Sequence, residues 1–330
     1  GRISTSNPCS EYLSIDNSSC NLSSINVLKY LDPEGSFNVR DFIHTVDVMI
    51  LAQEISVGAA GYPTQKIAQN SRAFRQLGLG YANLGALLMA WGMPYDSDRA
   101  RHTAGAITAL MTGEAYRYSA EISHRMGPYD GYAVNKEPQL RVIEMHRDAM
   151  ARVRSGLVAE RKIFDAAEKV WEQAVLLSKR HGVRNAQISL LAPTGTISLM
   201  MDCATTGIEP EFALVKIKSL VGGGTMKFVN TTVPDALRRL GYTGDEVLAI
   251  IRHIEEQGTV EGAADLKGEH LAIFDCAVKP ANGKRSIAWQ GHVKMVAAAQ
   301  PFLSGAISKT FNMPRDTTPE EIMDAYIMGW

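Results

Sequence analysis

Gln187-Ile-Ser-Leu-Leu-Ala-Pro-Thr-Gly-Thr-Ile-Ser198 decides the fold class. Its first six residues form a short strand-like run, and the run empties into a Pro/Gly/Thr loop of the kind that sits over a binding site. Upstream the chain is helical. Phe42, Ile43, Val46, Met49, Ile50 and Ile55 recur at spacings of three and four, which predicts a helix over 40–57 ended by Gly58, Gly61 and Pro63. The Gly-rich apolar stretch from Leu77 to Trp91 predicts a tightly packed strand-to-helix passage. A long helix follows over 98–126 with Gly127 as its C-terminal cap, then helices over 138–155 and 159–181. The last of these carries Lys179 and Arg180 in its final turn, where cations complement the helix dipole. Downstream, 211–218 predicts a strand, Gly222-Gly-Gly224 a flexible link, 234–240 and 244–257 helices, 291–302 a helix and 306–312 a strand. Thr318-Pro-Glu-Glu321 reads as a capping box that opens one more helix. Strands alternating with long helices imply an α/β layer fold or barrel, with no internal repeat.

Composition narrows the function. The 330 residues carry a formal net charge of −1, which excludes a nucleic-acid binder that relies on bulk positive charge. With 45% hydrophobic and 21% charged residues the chain has the make-up of a soluble globular protein. No run of eighteen apolar residues and no signal-peptide pattern occur, so no membrane partner and a cytoplasmic location are expected. The first residue is not Met, and the chain is expected to be a piece of a longer protein. Four cysteines (Cys9, Cys20, Cys203 and Cys276) without a CxxC pair suit neither a disulfide scaffold nor structural zinc, and no metal site is expected.

Three stretches can carry chemistry. In Asn7-Pro-Cys-Ser-Glu11, Pro8 biases Asn7 toward extended geometry, and in an extended chain Asn7, Cys9 and Glu11 share one face. An amide to orient a hydroxyl, a thiol and a carboxylate able to take a proton would then face one small volume. A buried cysteine beside a turn has the same spacing. Cys20 is either a small core residue or, if a hairpin returns it beneath Cys9, a redox partner. Pro193-Thr-Gly-Thr-Ile-Ser198 offers hydroxyls and closely spaced amides for a phosphate, or a turn with no ligand. Gly305-Ala-Ile-Ser-Lys-Thr310 lacks the Gly before Lys of a Walker loop, and Gly78-Leu-Gly80 lacks the third glycine of a dinucleotide fingerprint.

Taken together, Asn7-Pro-Cys-Ser-Glu11, Cys20-Asn-Leu-Ser-Ser-Ile-Asn26, Pro193-Thr-Gly-Thr-Ile-Ser198, Thr206-Gly-Ile-Glu-Pro210 and Gln300-Pro-Phe-Leu-Ser-Gly-Ala-Ile-Ser-Lys-Thr310 resemble the catalytic subunit of ribonucleotide reductases. The wording of the first and last motifs is most similar to the class II, adenosylcobalamin-dependent branch. The resemblance implies an α/β fold that is part of a ten-stranded barrel with a central finger loop, and makes residues 1–330 the C-terminal portion of that catalytic domain, incomplete at both ends. It implies Cys9 as the thiyl-radical cysteine, Glu11 as the base on the substrate 3′-hydroxyl, Asn7 as a partner of the ribose hydroxyls and Cys20 as one of two reducing thiols. Pro8 and Ser10 would line the ribose, and Pro193, Thr194, Gly195, Thr196, Ile197 and Ser198 the phosphates.

The implied partners are a ribonucleoside di- or triphosphate, adenosylcobalamin, an external dithiol and the N-terminal portion of the same enzyme, which holds the second reducing cysteine; a homodimer is an open assembly. Half a barrel without that portion implies exposed apolar surface and no turnover. Three alternatives stay open: a class I large subunit served by a radical-generating partner protein, a non-catalytic piece that docks with a separate N-terminal half, and a thiol-dependent hydrolase.

Overall fold

The computed structural model describes residues 3–219 and 225–330. The chain opens with a hairpin, β1 (Thr5–Ser6) antiparallel to β2 (Leu13–Ser14), followed by β3 (Asn21–Asn26), α1 (Val39–Ala59), α2 (Gln65–Phe74), β4 (Leu77–Ala82) and α3 (Leu84–Ala90). Next come α4 (Asp98–Met126), α5 (Tyr132–Asp148), α6 (Arg161–His181) and α7 (Gly195–Met200). The chain then forms β5 (Val215–Ser219), β6 (Thr225–Val229), α8 (Thr232–Arg239), α9 (Gly244–Gln257), α10 (Trp289–Ala299) and α11 (Pro319–Gly329).

Parallel neighbours need a long crossover, and α1 with α2 supplies the one between β3 and β4, which pair in parallel from Asn21↔Leu77 to Asn26↔Ala82. All six residues of β4 are buried, as expected of a parallel strand covered on both faces. Residues 187–192 extend the array. The Leu77 amide donates to the Gln187 carbonyl at 2.9 Å, the Leu190 amide to the Leu79 carbonyl at 3.0 Å, and Leu79 bridges Ser189 in parallel. The Leu191 amide then donates to the Ala306 carbonyl at 3.0 Å and the Ser308 amide to the Leu191 carbonyl at 2.9 Å. Four parallel positions therefore lie side by side, in the order β3, β4, 187–192 and 306–308. Gly80 explains the glycine-rich wording of β4, because a Cβ there would stand 2.5 Å from the Leu190 carbonyl oxygen. Among the described residues the named strands form three two-stranded sheets and do not close a barrel.

Several expectations shift. The predicted 306–312 strand shrinks to a bridge at Ile307, and the 211–218 strand becomes β5 in an antiparallel hairpin with β6; Gly222-Gly-Gly224 lies outside the described residues. The predicted 138–155 helix is α5, which starts earlier, at Tyr132, holds Pro138 inside it and ends at Asp148 before short 3₁₀ turns. The amide that proline lacks would have met the carbonyl of Val134, a residue 85% exposed, so water can take that bond. α1 is long and apolar enough, by length and composition, to cross a membrane; its Phe42, Val46 and Ile50 are fully buried in the core instead.

α4 is the spine of the main core. Ser97 caps its first turn, accepting from the Ala100 amide at 3.1 Å, and its centre packs on α6 through the fully buried Trp171. A second, smaller core gathers Val233 and Leu237 of α8, Ile250 and Ile254 of α9 and Phe274 of the 3₁₀ turn that follows. Where α1 meets α4, three carboxylates share one arginine: Arg117 pairs with Glu114 and Glu121 and lies 3.5 Å from Asp47. Burial first, then the hydrogen bond and charge of Glu114, push Asp47 up to about 8 against the pull of Arg117. Between the ordinary value of 3.8 and about 8 the folded chain holds a proton that the unfolded chain releases, so stability falls as pH rises through that window. Asp47→Asn is expected to melt a few degrees above the parent at pH 8, with the gap closing toward pH 4. A gap that stays constant in melts across that range would contradict the assignment.

Candidate active site

The β1–β2 hairpin turns more tightly than an extended chain allows. The Ser10 amide donates to the Asn7 carbonyl at 3.0 Å, and Ser10 sits in the left-handed region at φ 63°. The Asn7 side chain closes the loop from within, its Oδ1 accepting from the Tyr12 amide at 3.0 Å. The predicted single face of Asn7, Cys9 and Glu11 is therefore corrected. Pro8, Cys9 and Ser10 form an exposed turn at the tip, Asn7 is half-buried, and Glu11 is buried with its Oε2 unpartnered among the described residues. The Glu11 carbonyl accepts from the Ala306 amide at 2.8 Å, which seats the hairpin on the 306–308 strand position.

Cys20 returns beneath the same hairpin. It packs with Tyr12, Leu190 and Ala192, so hairpin, cysteine and the strand leading into Pro193 share one small apolar cluster. Burial, then the negative charge of Glu11, push the Cys20 thiol up to about 12, so it is protonated at neutral pH. Cys9 and Cys20 are both free thiols. Cys203 and Cys276 lie elsewhere, the latter buried in the second core.

The Pro193–Ser198 loop also departs from expectation. Thr194 stands at φ 57° as N-cap of α7, and its hydroxyl is occupied: it accepts from the Gly207 amide at 2.7 Å and lies 2.9 Å from the Ser198 hydroxyl. Both side chains are buried, and the Thr194 and Ser198 hydroxyls hold the loop together. Thr196 is exposed, as are Gly195 and Ile197, and the first-turn amides of a helix have no acceptor within it. These amides form the positive end of α7.

Pro193 and Gly195 line a cavity of about 590 Å³ shared with Thr205, Thr206, Glu209, Glu211, Lys216 and Thr310. Two stretches a hundred residues apart build its wall. Lys309, almost wholly buried, pairs with Glu209, donates to the Thr310 carbonyl at 2.6 Å and lies 2.8 Å from His292 Nδ1. Glu209 also accepts from the Thr310 amide at 2.8 Å. Burial, then the Lys309 charge, push His292 down to about 3, so its neutral ring accepts from the ammonium. Burial raises Glu211 despite Lys216 at 3.3 Å.

Sequence reasoning passed over Asn26 and Asn83. Both are buried, Asn83 completely, and they tie the strand ends to the chain that follows α7. The one available signal was an amide standing in the otherwise apolar Leu77–Trp91 stretch.

A cysteine-bearing hairpin seated on a parallel α/β array, one of whose strand positions runs into the N-terminus of α7, defines a class. The whole chain, residues 1–330, matches the family described as the ribonucleotide reductase barrel domain and belongs to it. Among its relatives is a vitamin B12-dependent ribonucleotide reductase of Rhodopirellula baltica, 54% identical over 330 residues, covering all of this chain and 32% of the relative. That of Streptomyces coelicolor is 53% identical over 334 residues, covering all of this chain and 34% of the relative. A vitamin B12-dependent ribonucleoside-diphosphate reductase of Mycobacterium tuberculosis is 30% identical over 331 residues, covering all of this chain and 40% of the relative. The chain thus spans about a third of the length of the first two.

Proposed function

We propose that residues 1–330 are the C-terminal portion of the catalytic barrel domain of an adenosylcobalamin-dependent ribonucleotide reductase, a cytoplasmic enzyme whose complete barrel has ten strands around the hairpin as a central finger. The reaction is reduction of a ribonucleotide to its 2′-deoxyribonucleotide, and the name of the Mycobacterium tuberculosis relative favours a diphosphate. The observation that carries this reading is the buried Glu11 carboxylate, whose Oε2 has no hydrogen-bond partner among the described residues, on the hairpin whose tip is Cys9 and beside the protonated Cys20 thiol.

As a thiyl radical, Cys9 takes the hydrogen atom from C3′, and Glu11 accepts the proton of the 3′-hydroxyl. The 2′-hydroxyl leaves as water with a proton from one of two thiols, Cys20 and a cysteine in the remainder of the enzyme. The second thiol hydrogen ends on C2′ as the pair becomes a disulfide, Glu11 returns its proton to the 3′-oxygen, and Cys9 returns its hydrogen to C3′. An external dithiol then reduces the disulfide. Asn7 and the exposed Pro8 and Ser10 border the ribose. Cys20 is suited to this work because a thiol held protonated has a hydrogen to give.

Adenosylcobalamin supplies the initiating organic radical when bound. The corrin ring brings its own nitrogen ligands, so what it asks of this chain is an accessible sulfur, and the exposed tip position of Cys9 fits that need.

The amides of Gly195, Thr196 and Ile197 and the Thr196 hydroxyl hold the substrate phosphates, with Thr194 and Ser198 supporting the loop. Thr196→Val keeps the shape and removes the one exposed hydroxyl. It is expected to raise the substrate Kd about tenfold, the loss of one charge-assisted hydrogen bond, and to leave the adenosylcobalamin Kd unchanged. Weaker cobalamin binding with substrate binding intact would assign the loop to another ligand.

A further inference from the structure

α7 is gripped at both ends by side chains that never reach the cavity. At its C-terminal end, Asn26 Nδ2 donates to the Met201 carbonyl at 3.0 Å. Just beyond, Asn83 Oδ1 accepts the amides of Ala204 and Thr205, each at 2.9 Å, while its Nδ2 donates to Asn26 Oδ1 at 3.0 Å. Asn83 occupies the N-cap of α3 at φ 72°, the usual place from which an asparagine caps its own helix, yet its side chain caps nothing there. Thr205 does so in its stead, its hydroxyl accepting from the Ala86 amide at 3.3 Å. Each residue thus bonds the backbone beside the other. These bonds hold the segment after α7 against α3, where a Cβ on Gly85 would stand 2.6 Å from the Glu209 carbonyl oxygen. Two residues past Thr205, the Gly207 amide donates to the Thr194 hydroxyl at 2.7 Å, which carries the constraint back to the start of α7.

We propose that Asn83, together with Asn26, is a positioning residue that aims the Gly195–Ile197 amides at the substrate phosphates. The inference rests on the reading of that loop given above. Its physical basis is economy of strain. Thr194 must hold a left-handed backbone to turn the strand into α7, and a short helix entered through such a residue keeps one orientation only if both ends are tied. An oxygen that accepts two adjacent amides, one of them buried, is a rigid tie, because releasing it leaves both without that acceptor.

The test uses the full-length enzyme, with CDP as the ligand and Thr196→Val as the reference variant. Asn83→Gly suits the left-handed backbone and deletes the tie. It is expected to raise the CDP Kd about tenfold while kcat at saturating CDP changes by less than about twofold and cobalamin affinity holds. Asn83→Asp keeps the accepting oxygen but sets its other oxygen against Asn26 Oδ1, and is expected to raise the Kd by less than Asn83→Gly does. An unchanged CDP Kd in Asn83→Gly, alongside a raised one in Thr196→Val, overturns the inference while the phosphate reading stands. An unchanged Kd in both overturns the phosphate reading and the inference with it. Should Asn83→Gly fail to fold, Asn26→Asp makes the same comparison, since it keeps the oxygen facing Asn83 and loses the donor to Met201. A raised CDP Kd there supports the inference, and an unchanged one overturns it.

Discussion

Replacing Cys9 by serine is expected to abolish 3′-hydrogen abstraction, lowering the rate by several orders of magnitude, because each ~1.4 kcal/mol added to a barrier costs tenfold and an alcohol O–H is a far stronger bond to break than a thiol S–H. The substitution changes little else. Cys9 is exposed in a turn closed by Asn7 and Ser10, and its own side chain makes none of the bonds that shape the hairpin. The variant should therefore melt with the parent enzyme and bind nucleotide normally. The check is hydrogen release from substrate labelled at C3′. Release at the parent rate would remove Cys9 from the radical role.

Cys20→Ser is expected to fail differently. Hydrogen abstraction continues, water is still lost from C2′, and the oxidised sugar, left without a reductant, decomposes with release of free base. Deoxynucleotide formation falls to background while base appears in its place. Burial makes the comparison clean. Cys20 lies against Tyr12 and Leu190 near a Glu11 oxygen that has no partner among the described residues, so a serine hydroxyl there is smaller than the thiol and has an acceptor at hand. Should the Cys9 and Cys20 variants share one inert phenotype, with neither 3′-hydrogen release nor free base, the division of roles between them would be wrong.

Local signals were legible wherever a few adjacent residues decide the outcome. The apolar spacing over 40–57 reads out as α1, Gly127 ends α4 at φ 82°, and the Thr318–Glu321 capping box opens α11 as both of its bonds require. α2 escaped notice because it is short and its few apolar residues, Ile67, Ala68 and Phe74 among them, are only half-buried around the buried Ser71. Pro138 does not open a helix, because α5 carries it in its interior. The 306–312 stretch carries strand-like residues but meets its neighbour at a single bridge.

At the site, residue types were readable and their partition was not. Thr194, Thr196 and Ser198 look equivalent in sequence; only the fold shows that Gly207 takes the first and that the first and third pair. Asn26 and Asn83 act through bonds spanning 175 and 121 residues, a separation at which a single sequence offers no period or cap to read. The burial that holds Cys20 protonated likewise comes from Tyr12 and Leu190, which no spacing rule joins.

The central claim is that the Cys9 sulfur carries the radical that attacks the substrate. It is tested most directly by rapid freeze-quench EPR of the full-length enzyme mixed with adenosylcobalamin, a nucleotide and a dithiol, prepared once with ordinary cysteine and once with cysteine deuterated at Cβ. The account predicts a signal that forms within the turnover time, narrows on deuteration because the unpaired electron couples to the Cβ hydrogens, and is absent from Cys9→Ser. A signal indifferent to deuteration or surviving in Cys9→Ser would contradict it, whereas turnover that ignores adenosylcobalamin and needs a separate metal-containing subunit would overturn the cofactor assignment and leave Cys9 in its role.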